Sequence, residues 1–156
     1  METTDWESVK RIYAEGIATK NATFQTSTPP WAELDLSHLK FGRSVAIIDG
    51  ETVGWCALTA VSSRCVYAGV AEVSVYVATD HNGKGVGTRL LRKLISEAEN
   101  NEIWTLQSSI FPENSPSIRL HINHGFREVG VRERIGMMDG KWRDTILLER
   151  RSKLIN

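Results

Sequence analysis

The stretch that decides the fold is Glu72–Val73–Ser74–Val75–Tyr76–Val77–Ala78–Thr79–Asp80–His81–Asn82–Gly83–Lys84–Gly85–Val86–Gly87–Thr88–Arg89–Leu90–Leu91. Its first half, Glu72 to Val77, is rich in β-branched and aromatic residues and predicts a strand. From Gly87 onward a helix is expected, with Val86, Leu90, Leu91, Leu94, Ile95 and Ala98 recurring at helical spacing. Between the two lies Asn82–Gly83–Lys84–Gly85–Val86–Gly87, a turn holding three glycines. A helix start leaves backbone N–H groups without partners, and those donors together with the helix dipole favour an anion. Glycines there permit positive φ and let a ligand reach the main chain. The stretch therefore predicts a pyrophosphate cradle fed by a strand. Its Gly-x-Gly-x-Gly spacing fits neither the dinucleotide fingerprint Gly-x-Gly-x-x-Gly nor the P-loop. An ordinary glycine-rich strand-to-helix turn stays open on these residues alone.

The chain of 156 residues suits a single domain over 1–156 with a core of its own. Lys and Arg number 19, as do Asp and Glu, so no bulk charge points to nucleic acid or steers an acidic substrate. No apolar run is long enough to span a membrane, and the N-terminus is not signal-like. Cys56 and Cys65 sit in no metal-ligand pattern; a disulfide between them stays open, and buried free thiols of a cytoplasmic protein are the expectation. No metal site is predicted.

Outward from the central stretch, Asp5 followed by Trp6, Val9, Ile12, Tyr13 and Ile17 predicts an N-capped amphipathic helix. Asn21 to Trp31 is polar and proline-bearing and is expected to be irregular. Ser44–Ile48 and Thr52–Leu58 flank Asp49–Gly50, a strong hairpin signal. Ser62–Ala68 is a loop leading into the central strand. Ile103–Ile110 predicts a buried strand, and Ser115–Pro116 a helix start, with Ser as cap and Gly125 as stop. Phe126–Val131 returns as a strand. Arg134–Met138 and Trp142–Leu148 form a last hairpin across Asp139–Gly140. The order predicts an α/β (α+β) fold.

Val75–Tyr76–Val77 followed by His81–Asn82–Gly83–Lys84–Gly85–Val86–Gly87 closely resembles the acetyl-CoA motif of the GNAT N-acetyltransferases, usually Gln/Arg-x-x-Gly-x-Gly/Ala. Asn82 departs from it, where the family has Gln or Arg. The second half resembles one branch more narrowly, the phosphinothricin and methionine sulfoximine (sulfone) N-acetyltransferases. The matching residues are Ala71–Glu72-x-Ser-Val-Tyr-Val, Asn114-x-x-Ser117 with His121 four residues on, Gly125–Phe126, and Gly140–Lys141–Trp142-x-Asp144. The resemblance spans nearly the whole chain. It implies a central, twisted, mostly antiparallel sheet flanked by helices, with acetyl-CoA in a splay between central strands. It also implies a short strand ahead of the first helix, where only Met1–Thr4 stand. A homodimer, a small-molecule amine substrate and resistance to such amino-acid analogues are implied as well.

Acetyl transfer from a thioester to an amine needs the two reactants held together. Val75, Tyr76 and Val77 would pair with the amide-rich pantetheine arm as an added strand, and the N–H of Val77 or a neighbour would polarise the thioester oxygen. Gly83, Lys84, Gly85, Val86, Gly87 and Thr88 would hold the pyrophosphate. The resemblance adds Asn114 and Asn123 to the cofactor arm. The acceptor ammonium must lose a proton. Glu72, a carboxylate in a strand that reads as buried, is the candidate base, and the branch places a substrate-contacting Glu there. His121 stands where many relatives carry a Tyr and would serve the leaving thiolate. Arg64 would grip an acceptor carboxylate bidentately. Cys65, Val66 and Tyr67 lie in the same zone, and Phe24 would form an apolar wall. Neither cysteine lies in an acyl-enzyme motif, so direct transfer in a ternary complex is expected. Two other readings stand beside this one. In one the acceptor is a polyamine, an aminoglycoside or a protein N-terminus. In the other the chain is a non-catalytic acyl-CoA sensor, which would need neither Glu72 nor His121.

Overall fold

Asp49 and Gly50 take φ of +50° and +82°, the left-handed pair that a tight two-residue hairpin turn requires. They join β1 (Ser44–Ile48) to β2 (Glu51–Ala60). This is a computed structural model that describes residues 1–156. β2 pairs antiparallel with β3 (Val70–Val77). The chain crosses over through α3 (Val86–Asn100) and returns as β4 (Thr105–Ile110), parallel to β3. After α4 (Ser115–Ile122), β5 (Arg127–Met138) and β6 (Lys141–Arg151) form the closing hairpin. β6 lies against β4, so the six-stranded sheet runs β1-β2-β3-β4-β6-β5. Two helices precede the sheet, α1 (Trp6–Ala18) and α2 (Trp31–Ser37).

Each sheet face carries its own core. On one, the apolar stripe of α3, including Leu90, Leu91, Leu94 and Ala98, packs on Leu58, Val73, Leu106 and Leu148. On the other, Trp6, Val9 and Ile12 of α1 meet Leu34, Trp55 and Ala57. Tyr76 stacks on Trp55 with centroids 4.8 Å apart and planes 15° off parallel. A Cβ at Gly16 would stand 2.7 Å from the Tyr76 ring, so only glycine lets α1 pass this close.

The feature that makes the site is a failure of pairing. β3 and β4 pair only at Val70–Thr105, Ala71–Leu106 and Glu72–Gln107. Beyond Glu72 the two strands part, while each keeps its outer neighbour, β2 or β6.

Several local expectations are corrected. Residues 21–30 are irregular as expected, but Trp31 is not: it opens the helix Trp31–Ser37, which was not expected from the sequence; the Pro30 carbonyl accepts from the N–H groups of Glu33 and Leu34 at 3.1 and 3.2 Å, and Leu34 is buried. A 3-10 turn over Thr3–Asp5 occupies the place of a leading strand, and the Asp5 carboxylate accepts from Glu2 N at 2.7 Å instead of capping α1. The cap of α4 is Asn114, not Ser115: its Oδ1 accepts from Ser117 N at 3.3 Å. Cys56 is a buried free thiol, but Cys65 is exposed. β5 is one strand with irregular register between Arg132 and Gly136, not two. There Arg134 has φ +49°, and Asp144 Oδ1 holds its N–H at 2.7 Å.

Leu94 is fully buried, and Leu94→Ala should lower unfolding free energy by about 2–5 kcal/mol, read as a reduced urea midpoint with unchanged m-value.

Candidate active site

Backbone alternation sets what faces the gap. Ala78 N bonds Val53 O, while Gly69 O accepts from Thr105 N. Even-numbered residues of β3 therefore direct their main-chain groups to β2, and odd-numbered ones toward β4. Past the last β3–β4 pair, the C=O of Val73 and both main-chain groups of Val75 and Val77 face the open gap. An amide-bearing ligand lying along β3 would meet them as a partner strand.

The gap opens into a cleft of about 1110 Å³ that continues to the start of α3. Gly83 and Gly85 take φ of +75° and +80°, and a Cβ at either would meet no protein atom within 4 Å. The first bond of α3 runs from Arg89 N to Gly85 O. The N–H groups of Gly83, Gly85, Val86, Gly87 and Thr88 have no acceptor in the protein. A row of free donors at a helix start, open to solvent, fits a pyrophosphate.

The opposite wall is formed by Ser108–Phe111 of β4 and its exit, and by Asn114, Arg119, His121, Asn123 and His124 of the α4 region. His121 is buried, and its Nδ1 lies 2.8 Å from Ser117 O. A carbonyl only accepts, so Nδ1 carries the proton and Nε2 a lone pair. Nε2 is buried without a partner. Burial, first, and the nearby His124 push the His121 pKa down, against the Ser117 carbonyl, which raises it. His121 is thus a neutral imidazole in a fixed tautomer, suited to accept a proton or a hydrogen bond.

Side chains alternate as well. Val73 packs into the α3-face core, so Glu72 and Ser74 face the α1 side. There Glu72 lines the cleft beside Thr59, its partner on β2, and on the same face as Ser74 and Ser109. It makes no ion pair. The other lining carboxylate, Glu15, is engaged: it accepts from Thr79 N at 2.8 Å and pairs with Arg11 at 2.9 Å. Thr145 Oγ1 is buried and unpartnered. Phe24 borders this half and meets Phe111 edge-on at 4.8 Å.

Of the residues singled out from the sequence, the cleft brings together Phe24, Glu72, Val75, Tyr76, Val77, Gly83, Gly85, Val86, Gly87, Thr88, Asn114, His121 and Asn123. Asn114 has protein partners at both ends of its amide: Nδ2 donates to Asn21 O at 3.1 Å. Lys84 does not line the cleft. It borders a separate apolar groove between β1 and α3. Arg64, Cys65, Val66 and Tyr67 do not line it either. All four are exposed, and the Arg64 guanidinium lies 5.5 Å over the Tyr67 ring. Ser108, Ser109, Arg119 and Thr145 were missed. The serines carried no signal of their own, since β4 also holds Thr105 and Gln107 beside Leu106 and Ile110.

This site defines a class: a transferase that takes an acyl group from a carrier with an amide-rich arm and a pyrophosphate. The chain belongs to the acetyltransferase (GNAT) family, whose model matches residues 6–126. It is 32% identical over 152 residues to a phosphinothricin N-acetyltransferase of Alcaligenes faecalis, covering 94% of this chain and 77% of that one. An L-methionine sulfoximine/L-methionine sulfone acetyltransferase of Pseudomonas aeruginosa is 32% identical over 100 residues, 64% of this chain and 58% of that one. Among solved structures, a phosphinothricin acetyltransferase from Sinorhizobium meliloti in complex with acetyl-CoA superposes with TM-score 0.87 at 26% identity. The match covers 97% of this chain and 85% of that one. A ribosomal-protein-alanine N-acetyltransferase from Brucella melitensis gives TM-score 0.88 at 27% identity over 97% of both chains. The protein is an acetyl-CoA-dependent N-acetyltransferase of this family. No helix is long and apolar enough to cross a membrane.

Gly85→Ala places a side chain at φ +80°, which disfavours the loop conformation by about 1 kcal/mol. Calorimetric titration should show acetyl-CoA binding weakened by about fivefold to tenfold. The lowered His121 pKa sets a pH signature. Below the ordinary value of 6.5 the unfolded chain binds a proton that the folded chain resists, so stability falls with pH until the folded value is passed. Denaturation from about pH 7 down to about pH 5 should show wild type losing more stability than His121→Gln.

Proposed function

We propose that the protein acetylates the α-amine of a small amino-acid-like acceptor of the phosphinothricin, methionine sulfoximine or methionine sulfone type, by direct attack within a ternary complex. The observation that carries this reading is the partnerless carboxylate of Glu72, set among hydroxyl groups where the β3–β4 gap opens. A carboxylate there matches an ammonium. The hydroxyls of Thr59, Ser74 and Ser109 match the oxygen atoms that sulfone, sulfoximine and phosphinate groups present. The names of the relatives support the same acceptor class.

Bound acetyl-CoA supplies an activated acetyl group as a thioester. Glu72 would bind the acceptor ammonium and take its proton, freeing the nitrogen lone pair for attack. The main-chain N–H groups of Val75 and Val77, facing the gap, would hold the pantetheine arm and polarise the acetyl oxygen. The α3 donors would hold the pyrophosphate. The attacking nitrogen sheds its second proton as the C–S bond breaks; the lone pair on His121 Nε2 would accept that proton and pass it to the leaving thiolate, so that amide and free thiol result. Cys56 supports a route without an acyl-enzyme: burial pushes its thiol up to about 12, and no cysteine lines the cleft. A homodimer goes with this reading. The β5–β6 hairpin leaves Val129, Val131, Ile135, Met137 and Trp142 exposed, an apolar strip that a second copy would cover. A cytoplasmic setting goes with it too.

The deciding measurement is acetyl-CoA-dependent thiol release over a panel of phosphinothricin, methionine sulfoximine, methionine sulfone, spermidine, an aminoglycoside and an N-terminal alanine peptide. Turnover of the amino-acid analogues is expected. In Glu72→Gln, kcat/KM for them should fall by about 10²–10⁴, with acetyl-CoA binding unchanged. Turnover of the peptide alone would instead assign the protein-N-terminus reading, and tight acetyl-CoA binding without any turnover the sensor reading. Sedimentation should show a dimer in wild type and a monomer in Trp142→Glu.

A further inference from the structure

Arg143 takes part in none of these steps and does not line the cleft, yet separate segments of the chain meet on it. It lies on β6, three residues past the Asp139–Gly140 turn, with its side chain 21% exposed. Its guanidinium carbon stands 4.1 Å from the centre of the Phe111 ring. Nη1 donates to Lys20 O at 3.1 Å. Nη2 donates to Glu113 Oε2 at 3.1 Å and to Asn21 Oδ1 at 3.4 Å. One planar cation thus joins the exit of β4, the last hairpin, and the segment after α1.

That segment, residues 19–25, is a strap across the acceptor half of the cleft, which Thr19 and Asn21–Gln25 help line. Two further ties hold it: the Lys20–Asp139 ion pair and the Asn114 to Asn21 hydrogen bond. The strap carries Phe24. The Phe24 ring abuts Gly136, where a Cβ would come within 2.7 Å of it, and meets Phe111 on its other side. Phe111 in turn lies under Arg143. Moving Arg143 would release both the main chain that presents Phe24 and the ring against which Phe24 rests.

We propose that Arg143 is a positioning residue for the acceptor: by clasping the 19–25 strap to Phe111 and Glu113, it sets the distance between the Phe24 wall and Glu72 and so restricts the site to compact acceptors. This rests on the acceptor reading given above. Several donors in a fixed planar fork are needed to bridge three acceptors and stack on a ring, which an ammonium does not reproduce. Arg143→Lys should therefore fail to rescue.

The test combines kinetics with proteolysis on the full chain. With the best acceptor of wild type, Arg143→Gln should raise acceptor KM by about tenfold to a hundredfold. Its kcat should stay within about threefold and KM for acetyl-CoA within about twofold. In the double variant with Phe24→Ala the two effects should not add, because Arg143 acts through Phe24. Acceptors with bulkier side chains should gain relative to the compact ones. Trypsin cleavage after Lys20 should accelerate at least about tenfold as the strap is freed, with cleavage unchanged at every other site that the variant keeps, the one at position 143 being lost with the arginine. Additive kinetic losses, a parallel change in both KM values, or unchanged cleavage after Lys20 would overturn the proposal. Should Arg143→Gln not fold, Asn21→Ala removes one strap contact and should give the same split in smaller measure. If wild type prefers a different amine, the acceptor reading fails, but the KM split measured with that amine still decides the role of Arg143. If no amine is turned over, the proteolysis decides it.

Discussion

The site depends on a parallel strand pair that stops pairing after three residues on each side. Buried main-chain N–H and C=O groups need partners, and inside a sheet the neighbouring strand supplies them. Here β3 and β4 are each secured along one edge and left open along the other. The open edge of β3 is a ready template for an extended, amide-bearing molecule. The same divergence admits the ligand to the middle of the sheet, beside Glu72. In the function proposed above, cofactor binding and catalysis thus share one geometric cause, and the glycine turn after β3 would extend it to the phosphates.

Much of this was legible because it rests on local chemistry. The glycine turn, the stripe on α3 and the Asp49–Gly50 hairpin each declare themselves within a few residues, and the resemblance of Ala71–Val77 and Asn114–His121 supplied the topology. What was not legible depends on distance or direction. Lys84 lies between two glycines of positive φ, and in that loop the main chain serves the cleft while this side chain turns to the other flank of α3. Arg64 is close to Glu72 in sequence, but the exposed turn that carries it stands apart from the cleft. The helix of Trp31–Ser37 hides behind two prolines that suggest a loop; Pro30 in fact sits at its cap, where a missing N–H costs nothing. Arg143 gathers partners more than a hundred residues away along the chain, and no spacing rule reaches that far.

The electrostatics of the cleft are sparse. The phosphate end of the proposed site offers main-chain dipoles rather than a cluster of cations, with Arg119 the one arginine and no lysine in the lining. The acceptor end holds one unpartnered carboxylate among neutral hydroxyls. His121 is neutral and held in one tautomer by Ser117. Such a site discriminates through shape and hydrogen-bond geometry, since a chain with equal numbers of acidic and basic residues exerts little long-range pull on its ligands.

The two faces of the sheet are unequal, and the cleft straddles them. The phosphate loop leads into α3, which is seated in a core of 16 buried residues. The α1 side, from which the strap departs, rests on a core of seven. Partial opening of a native protein follows such differences in buried contact. The first excursions away from the native state would therefore loosen the acceptor wall and leave the cofactor seat intact. A molecule built this way can relax its choice of amine while its grip on acetyl-CoA persists, which gives selection a route to new acceptors that leaves the donor half of the reaction undisturbed.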